Sequence, residues 1–255
     1  MNLLFRNIVA CCLFIFLVQV PTKLLGLEMK YCSIRDTVKH EANQKLLEAV
    51  LEKELANLDS SMTLADQANY LSTRITKIAS TLLKQGFLAD AYEIPKSDRN
   101  SILSFNCFAL WEGERNTKGP IPLTFFVYIW PSEKVALKHN SSNPLNCHYA
   151  STIHSHPIPC SFAVLQGALI QKNYECIGSD QVAKSVRLIE EEIFRKGEGH
   201  VDNLTKPCIH QLYNKELGSK ICLSLHAYGL SSEEKVMTCF TETLSDCTYN
   251  HVIFK

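Results

Sequence analysis

Past Pro95 the chain breaks into short runs of β-branched and aromatic residues, at 102–111, 123–130, 161–171, 221–228, 236–241 and 249–254. Turn formers separate most of them: Asn-Thr-Lys-Gly-Pro at 116–120, Asn-Ser-Ser-Asn-Pro at 140–144, and Gly229 with Ser231 and Ser232. Short strands punctuated in this way close as an antiparallel sandwich or barrel. The segment 180–195 is ambiguous, because its Val-x3-Val-x2-Ile pattern serves either a helix or half of a β hairpin. The expected fold is mostly β, a small barrel or jelly roll.

A helical segment precedes it. Residues 36–58 carry Val38, Ala42, Leu46, Val50 and Leu55 at helical spacing. A second helix begins near Thr63, which forms a Thr-x-x-Asp cap with Asp66. Its stripe runs through Leu64, Ala68, Leu71, Ile75, Ile78 and Leu82, and Gly86 stops it. Both helices are amphipathic, so each needs an apolar surface to cover. Residues 8–20 are apolar apart from Gln19, too short a run to span a bilayer but suited to a signal peptide. Met29 offers a second reading, as an alternative start of translation. The division expected is 1–28, signal-like or mis-assigned; 29–95, a helical cap; and 96–255, the barrel.

Charge narrows the partners. Lys plus Arg and Asp plus Glu both number 26, so no basic excess points to nucleic acid or to an anionic membrane surface. The eleven cysteines are scattered, odd in number and form no Cys-x-x-Cys pair. Neither a disulfide framework nor a zinc ribbon fits that spacing. Most are therefore read as reduced, buried and apolar, which favours a cytoplasmic location. Export or anchoring through 1–28 is the alternative, and a monomer is expected.

The chemistry concentrates around Ser151-Thr152-Ile153-His154-Ser155-His156-Pro157. In extended chain, residues i and i+2 point to one face, so His154 and His156 are placed to share a metal ion. Cys160 follows, and Gly167 stands seven positions after it. This resembles the metal-binding cupin pattern His-x-His-x(3,4)-Glu-x(6)-Gly, with Cys160 in the glutamate's place. The second cupin motif, with His-x3-Asn after a proline, resembles Pro207 to Asn214 and makes His210 the third ligand; it lacks the usual intervening glycine. Three neutral imidazoles leave a dication's charge uncompensated. At an effective dielectric of ~20 a unit charge a few ångströms away is worth about 4 kcal/mol, so the site favours an anionic ligand. A thiolate suits, because a metal deprotonates a coordinating thiol.

The stretch 151–167 also resembles the cysteine dioxygenase family, in which Ser-Ser-Ile-His-x-His is followed by a cysteine and Leu-Gln-Gly. Ser224, His226 and Tyr228 are similar to that family's Ser-x-His-x-Tyr. The resemblance covers roughly 100–245 and implies an iron-dependent thiol dioxygenase, a cupin that oxidises a small thiol with O2 to a sulfinic acid. Under it, His154, His156 and His210 bind Fe(II); Tyr228 meets substrate or oxygen; His226 and Ser224 orient Tyr228. Cys160 sits against Tyr228, where part of the family forms a thioether crosslink.

Departures accompany the match. The gap between His156 and Cys160 is one residue shorter than in the familiar enzymes. Where the family places an arginine for the substrate carboxylate, the best local match puts Phe105, with Arg99 and Arg115 nearby but shifted. Bidentate recognition depends on geometry, so a thiol other than cysteine is open. Plainer readings also exist. His210 could be a surface histidine with His200 the ligand, Tyr228, His226 and Cys160 could be ordinary packing, and Trp111 and Trp130 read as core. The alternative function is a non-catalytic or differently metallated cupin that binds a small molecule.

Overall fold

The computed structural model describes residues 34–58, 61–93, 106–112, 123–132, 134–135, 150–156, 160–177, 185–202, 208–214, 221–229 and 238–242. All belong to one compact unit, Ser33–Lys255. The signal-like residues 1–28 and the expected strand at 249–254 lie outside the described residues.

Helix α1 spans Thr37–Leu55, capped by Asp36, whose carboxylate accepts from Lys39 N at 3.1 Å. Helix α2, Leu64–Thr73, opens on the expected capping box. Thr63 Oγ1 accepts from Asp66 N at 3.2 Å, and Asp66 accepts from Thr63 N at 3.3 Å. The second helix expected from sequence is in fact two. At Arg74 the chain tightens, with its N–H bonded to Leu71 O at 3.1 Å, and α3 then runs from Ile75 to Lys84. The break has a charged partner beneath it. Glu54 of α1, with only 8% of its side chain exposed, meets Arg74 at 3.3 Å and Lys77 at 2.7 Å. Gly86, at φ 92°, closes α3 in a conformation that a side chain disfavours.

Ten strands follow: β1 Asn106–Glu112, β2 Leu123–Pro131, β3 Ile153–Ser155, β4 Cys160–Gln166, β5 Ala168–Ile177, β6 Ser185–Arg195, β7 Gly199–Val201, β8 Ile209–Tyr213, β9 Ile221–Gly229 and β10 Thr238–Glu242. One sheet has the order β1-β2-β9-β4-β7; the second, β10-β3-β8-β5-β6, closes on itself because β10 pairs with both β3 and β6. The fold is of the expected class: mostly β, with a closed barrel and an N-terminal helical segment. The run 161–171 divides at Gly167, whose φ of 77° turns the chain and where an added Cβ would stand 3.1 Å from Ile221 O and 3.3 Å from Cys222 Cα. Within the ambiguous 180–195, the described residues 185–195 form β6, paired antiparallel with β5. β3, β7 and β8 are additional to the runs read from sequence.

Alternation on β2, β4 and β9 places the site. Val127, Ile129, Ala163, Leu165, Leu223 and Leu225 face outward and pack in one core with Leu47, Leu71, Ile75 and Ile78 of the helices. Their neighbours in sequence face inward, where Trp130, Phe162, Val164, Leu169, Leu212 and Cys222 form a second core. Helices thus cover the outside of the first sheet and leave its inside for polar chemistry. Cys160 and Cys222 are buried as expected, whereas Cys208 is half-buried and Cys176 exposed; all four are free thiols. Among the described residues, no helix is long and apolar enough to cross a membrane.

Gly199 lets β7 lie against β4. A Cβ there would stand 2.0 Å from Phe162 O and 2.7 Å from Ala163 Cα. We expect Gly199→Ala to cost about 1–3 kcal/mol, as overpacking does, read as a lowered urea midpoint. Gly86→Ala, with nothing within 4 Å, meets only backbone strain and should cost about 1 kcal/mol.

Candidate metal centre

His154 lies on β3 opposite His210 of β8, and His156 follows two residues later. Their ring nitrogens converge. His154 Nε2 is 3.0 Å from His156 Nε2 and 3.3 Å from His210 Nε2. The three rings offer nitrogens that all lie within 4.8 Å of one another. Nitrogen ligands about 2.1 Å from one ion, at angles of about 90–109°, stand about 3.0–3.4 Å apart. The two separations match that range. Burial holds all three imidazoles below their ordinary 6.5, with the neighbouring rings opposing protonation of His156 and His210 as well. His154 Nδ1 lies 2.7 Å from Thr152 O, so it donates its proton there and turns the Nε2 lone pair to the cluster. The donor set therefore fits a divalent metal ion. His200, the rival third ligand, is not part of this group; it stands beside Asp202 instead.

The second set of expected residues lines up on β9. Tyr228 pairs directly with Cys160 of β4, and its hydroxyl opposes part of the rise in the Cys160 pKa. Burial first, and Asp202 second, raise that thiol well above 9.0, so it stays protonated. The Tyr228 ring centroid is 5.3 Å from that of His156. Tyr228 Oη is 3.3 Å from His226 Nδ1, and His226 Nε2 is 2.8 Å from Ser224 Oγ.

Trp130, read from sequence as core, is buried but also sets the direction of this chain. Its indole N–H donates to Ser224 Oγ at 2.7 Å. Indole N–H is a donor only. Ser224 is fully buried, so its own proton goes to its other partner, His226 Nε2. His226 then carries its proton on Nδ1 and donates it to Tyr228 Oη. Tyr228 is left to donate onward, with Tyr128 Oη at 3.4 Å. Tyr128 itself lies against His226, with ring centroids 4.3 Å apart. Spacing on β2 puts Phe126, Tyr128 and Trp130 on one face, but only the pairing with β9 turns that face towards His226.

Asp202 also escaped the sequence reading. It follows β7, its side chain is 7% exposed, and its N–H donates to Cys160 O at 2.9 Å. Phe105, Arg99 and Arg115 lie outside the described residues, as does the side chain of Trp111.

No protein-family model matches the chain, and no curated protein matches it in sequence. Distant likenesses exist among solved structures. Recombinant oxalate oxidase in complex with glycolate is 13% identical over 53% of this chain and 56% of its own, with a TM-score of 0.33, so the match spans little more than half of that protein. A cupin superfamily protein from Desulfitobacterium hafniense DCB-2 is 12% identical over 56% of this chain and 88% of its own, at 0.31. A cysteine peptidase from Thevetia peruviana latex is 8% identical over 54% of this chain and 68% of its own, also at 0.33. Likenesses this distant carry no argument about chemistry.

The buried neutral histidines make stability depend on pH. Burial pushes His226 down to about 3 from 6.5. Between those values the unfolded chain binds a proton that the folded chain refuses, so stability falls as pH falls from about 6.5 towards 3. Each such histidine contributes a slope of up to about 1.4 kcal/mol per pH unit. Urea unfolding of metal-stripped protein at pH 7, 6 and 5 should show this loss. His226→Gln should have a shallower slope by up to that amount.

Proposed function

We propose that the chain is an iron-dependent thiol dioxygenase, an oxidoreductase that converts a small thiol and O2 into a sulfinic acid. The observation that carries the reading is the convergence of three neutral imidazoles, with no carboxylate among them, beside a directed Trp130–Ser224–His226–Tyr228 chain. His154, His156 and His210 would hold Fe(II). The chemistry a bound ferrous ion supplies is Lewis acidity towards a thiol and redox activity towards O2.

The protein's own contribution is positioning and proton placement. Neutral ligands leave the positive charge of the centre available to a thiolate. His226 anchors the phenol oxygen of Tyr228 with an N–H, so the phenol proton would exchange its long 3.4 Å bond to Tyr128 Oη for one to substrate or oxygen. Ser224 and Trp130 hold the His226 tautomer, and act through it. Phe105 in place of a carboxylate-binding arginine favours a thiol lacking the full amino-acid pattern. A small thiol and O2 are the partners of this reading, which needs neither nucleic acid nor membrane and works as a monomer.

Metal analysis of anaerobically purified protein, followed by O2 uptake with a thiol panel, tests it. The expected result is one ferrous ion per chain and turnover of cysteamine or 3-mercaptopropionate above that of cysteine. His154→Ala and His210→Ala should lose iron and lower turnover more than about 100-fold, whereas Trp130→Phe keeps iron and loses about 10–100-fold. Full iron in His210→Ala with loss in His200→Ala would reassign the third ligand. Zinc or manganese in place of iron, or no O2 uptake with any thiol, would favour the alternative of a differently metallated or non-catalytic cupin.

Cys160 and Tyr228 would join in a thioether during turnover. The sulfur bonds to a phenol ring carbon, the thiol and ring each lose a hydrogen, and O2 takes up both electrons and both protons. Peptide mass spectrometry after incubation with thiol and air should find the two peptides joined and lighter by two hydrogens. An active, iron-loaded enzyme without that peptide would exclude the crosslink alone.

A further inference from the structure

Three segments meet near the histidine cluster, and each presents two donor side chains at i and i+2: His154 and His156, His200 and Asp202, Cys208 and His210. Three of the six form the cluster already described. The other three, His200, Asp202 and Cys208, offer ligand atoms that also lie within 4.8 Å of one another.

Asp202 makes this trio more than a coincidence of spacing. Its side chain is 7% exposed, and neither carboxylate oxygen has a hydrogen-bond partner among the described residues. A buried carboxylate without donors is expensive unless a cation meets it. His200 Nε2 stands 3.3 Å from Asp202 Oδ1, yet the two are not aligned as a hydrogen bond. The Cys208 thiol, half-buried, has among the described residues only the weak company of Asn173 Oδ1 at 3.4 Å and Gln171 Nε2 at 4.0 Å. Asp202 is also within reach of His156 and Cys160, but His156 belongs to the histidine cluster and Cys160 faces Tyr228. His200 and Cys208 have no such prior role.

We propose that His200, Asp202 and Cys208 form a second divalent-cation site, of the zinc type, beside the three-histidine centre. One imidazole, one carboxylate and one thiolate are the donors zinc takes, with a fourth position left open. At bond lengths of about 2.0–2.3 Å, tetrahedral donors stand about 3.3–3.8 Å apart, so adjustments on the order of an ångström close the shell. The cation would neutralise Asp202, displace the Cys208 proton and tie β7 to the start of β8.

The test uses the full chain, stripped of metal by a chelator and titrated without air with Zn2+ and then, separately, with Co2+. Two equivalents of Zn2+ per chain are expected. The Co2+ form should show a near-ultraviolet sulfur-to-cobalt charge-transfer band. Cys208→Ser should bind one equivalent and lose the band; Asp202→Asn and the more exposed His200→Ala should each bind one equivalent. His154→Ala should keep the band, and circular dichroism of each variant checks folding. Saturation of the wild type at one equivalent would overturn the proposal. So would a band that survives Cys208→Ser but vanishes in Cys160→Ser.

Discussion

The register between β9 and its two neighbours is the constraint on which the rest depends. Backbone hydrogen bonds set Tyr228 opposite Cys160 and His226 opposite both Phe126 and Phe162. Because side chains alternate, that register sends Leu223, Leu225 and Ala227 to the helices and Ser224, His226 and Tyr228 to the barrel interior. A slip of one residue would exchange the two sets. The polar residues would then meet Leu71 and Ile78, and the leucines would face the histidines. The apolar face of β9 therefore fixes the geometry of its polar face, and the helices contribute to the site without touching it.

Part of this was written plainly in the chain. Thr63 and Asp66 cap a helix through atoms a few residues apart, and Gly86 ends one through its own backbone freedom; such local signals survive folding unchanged. The same holds for His154 and His156, whose shared face follows from extended backbone. The Ser-x-His-x-Tyr spacing on β9 is equally local. What the sequence withheld is everything set by long-range pairing. Trp130 meets Ser224 across 94 positions, so a buried indole reads as core until β2 and β9 are in register. Asp202 follows a three-residue strand too short for any periodic signal. The break at Arg74 lies over Glu54 of another helix, which pairs with Arg74 and Lys77, and no periodicity within 63–86 encodes it. β6 misleads in the opposite way. Leu188, Ile189 and Ile193 are exposed on it alongside three glutamates, so its pattern lacks the clean alternation of a half-buried strand.

The interior these strands enclose is nearly free of formal charge. Burial keeps His154, His156, His210 and His226 neutral and the Cys160 thiol protonated, each for the same reason: the charged form loses its water. Mutual repulsion deepens the effect for His156 and His210, since a proton on one ring raises the cost of a proton on the next. Protons and metal ions compete for the same lone pairs, so a site that refuses protons down to acidic pH stays open to a cation throughout the physiological range.

Neutrality also decides what can follow the cation. A dication held by three uncharged rings keeps its full charge in a poorly solvated interior, and the cost falls most readily to an anion that enters with it. A thiolate is such an anion, and it need not be preformed, because coordination itself drives off the proton. The carboxylate of Asp202 comes within 4.8 Å of a His156 nitrogen, yet among the described residues it does not join the three histidines in one cluster of that span. It therefore lowers the potential around the centre without filling a place in the set. A more strongly attracting site would hold a carboxylate ligand of its own and have less need of an external anion. With Cys160 in that place, turned aside to Tyr228, a cation held by the three histidines would keep its charge for an external anion, as the proposed reading requires.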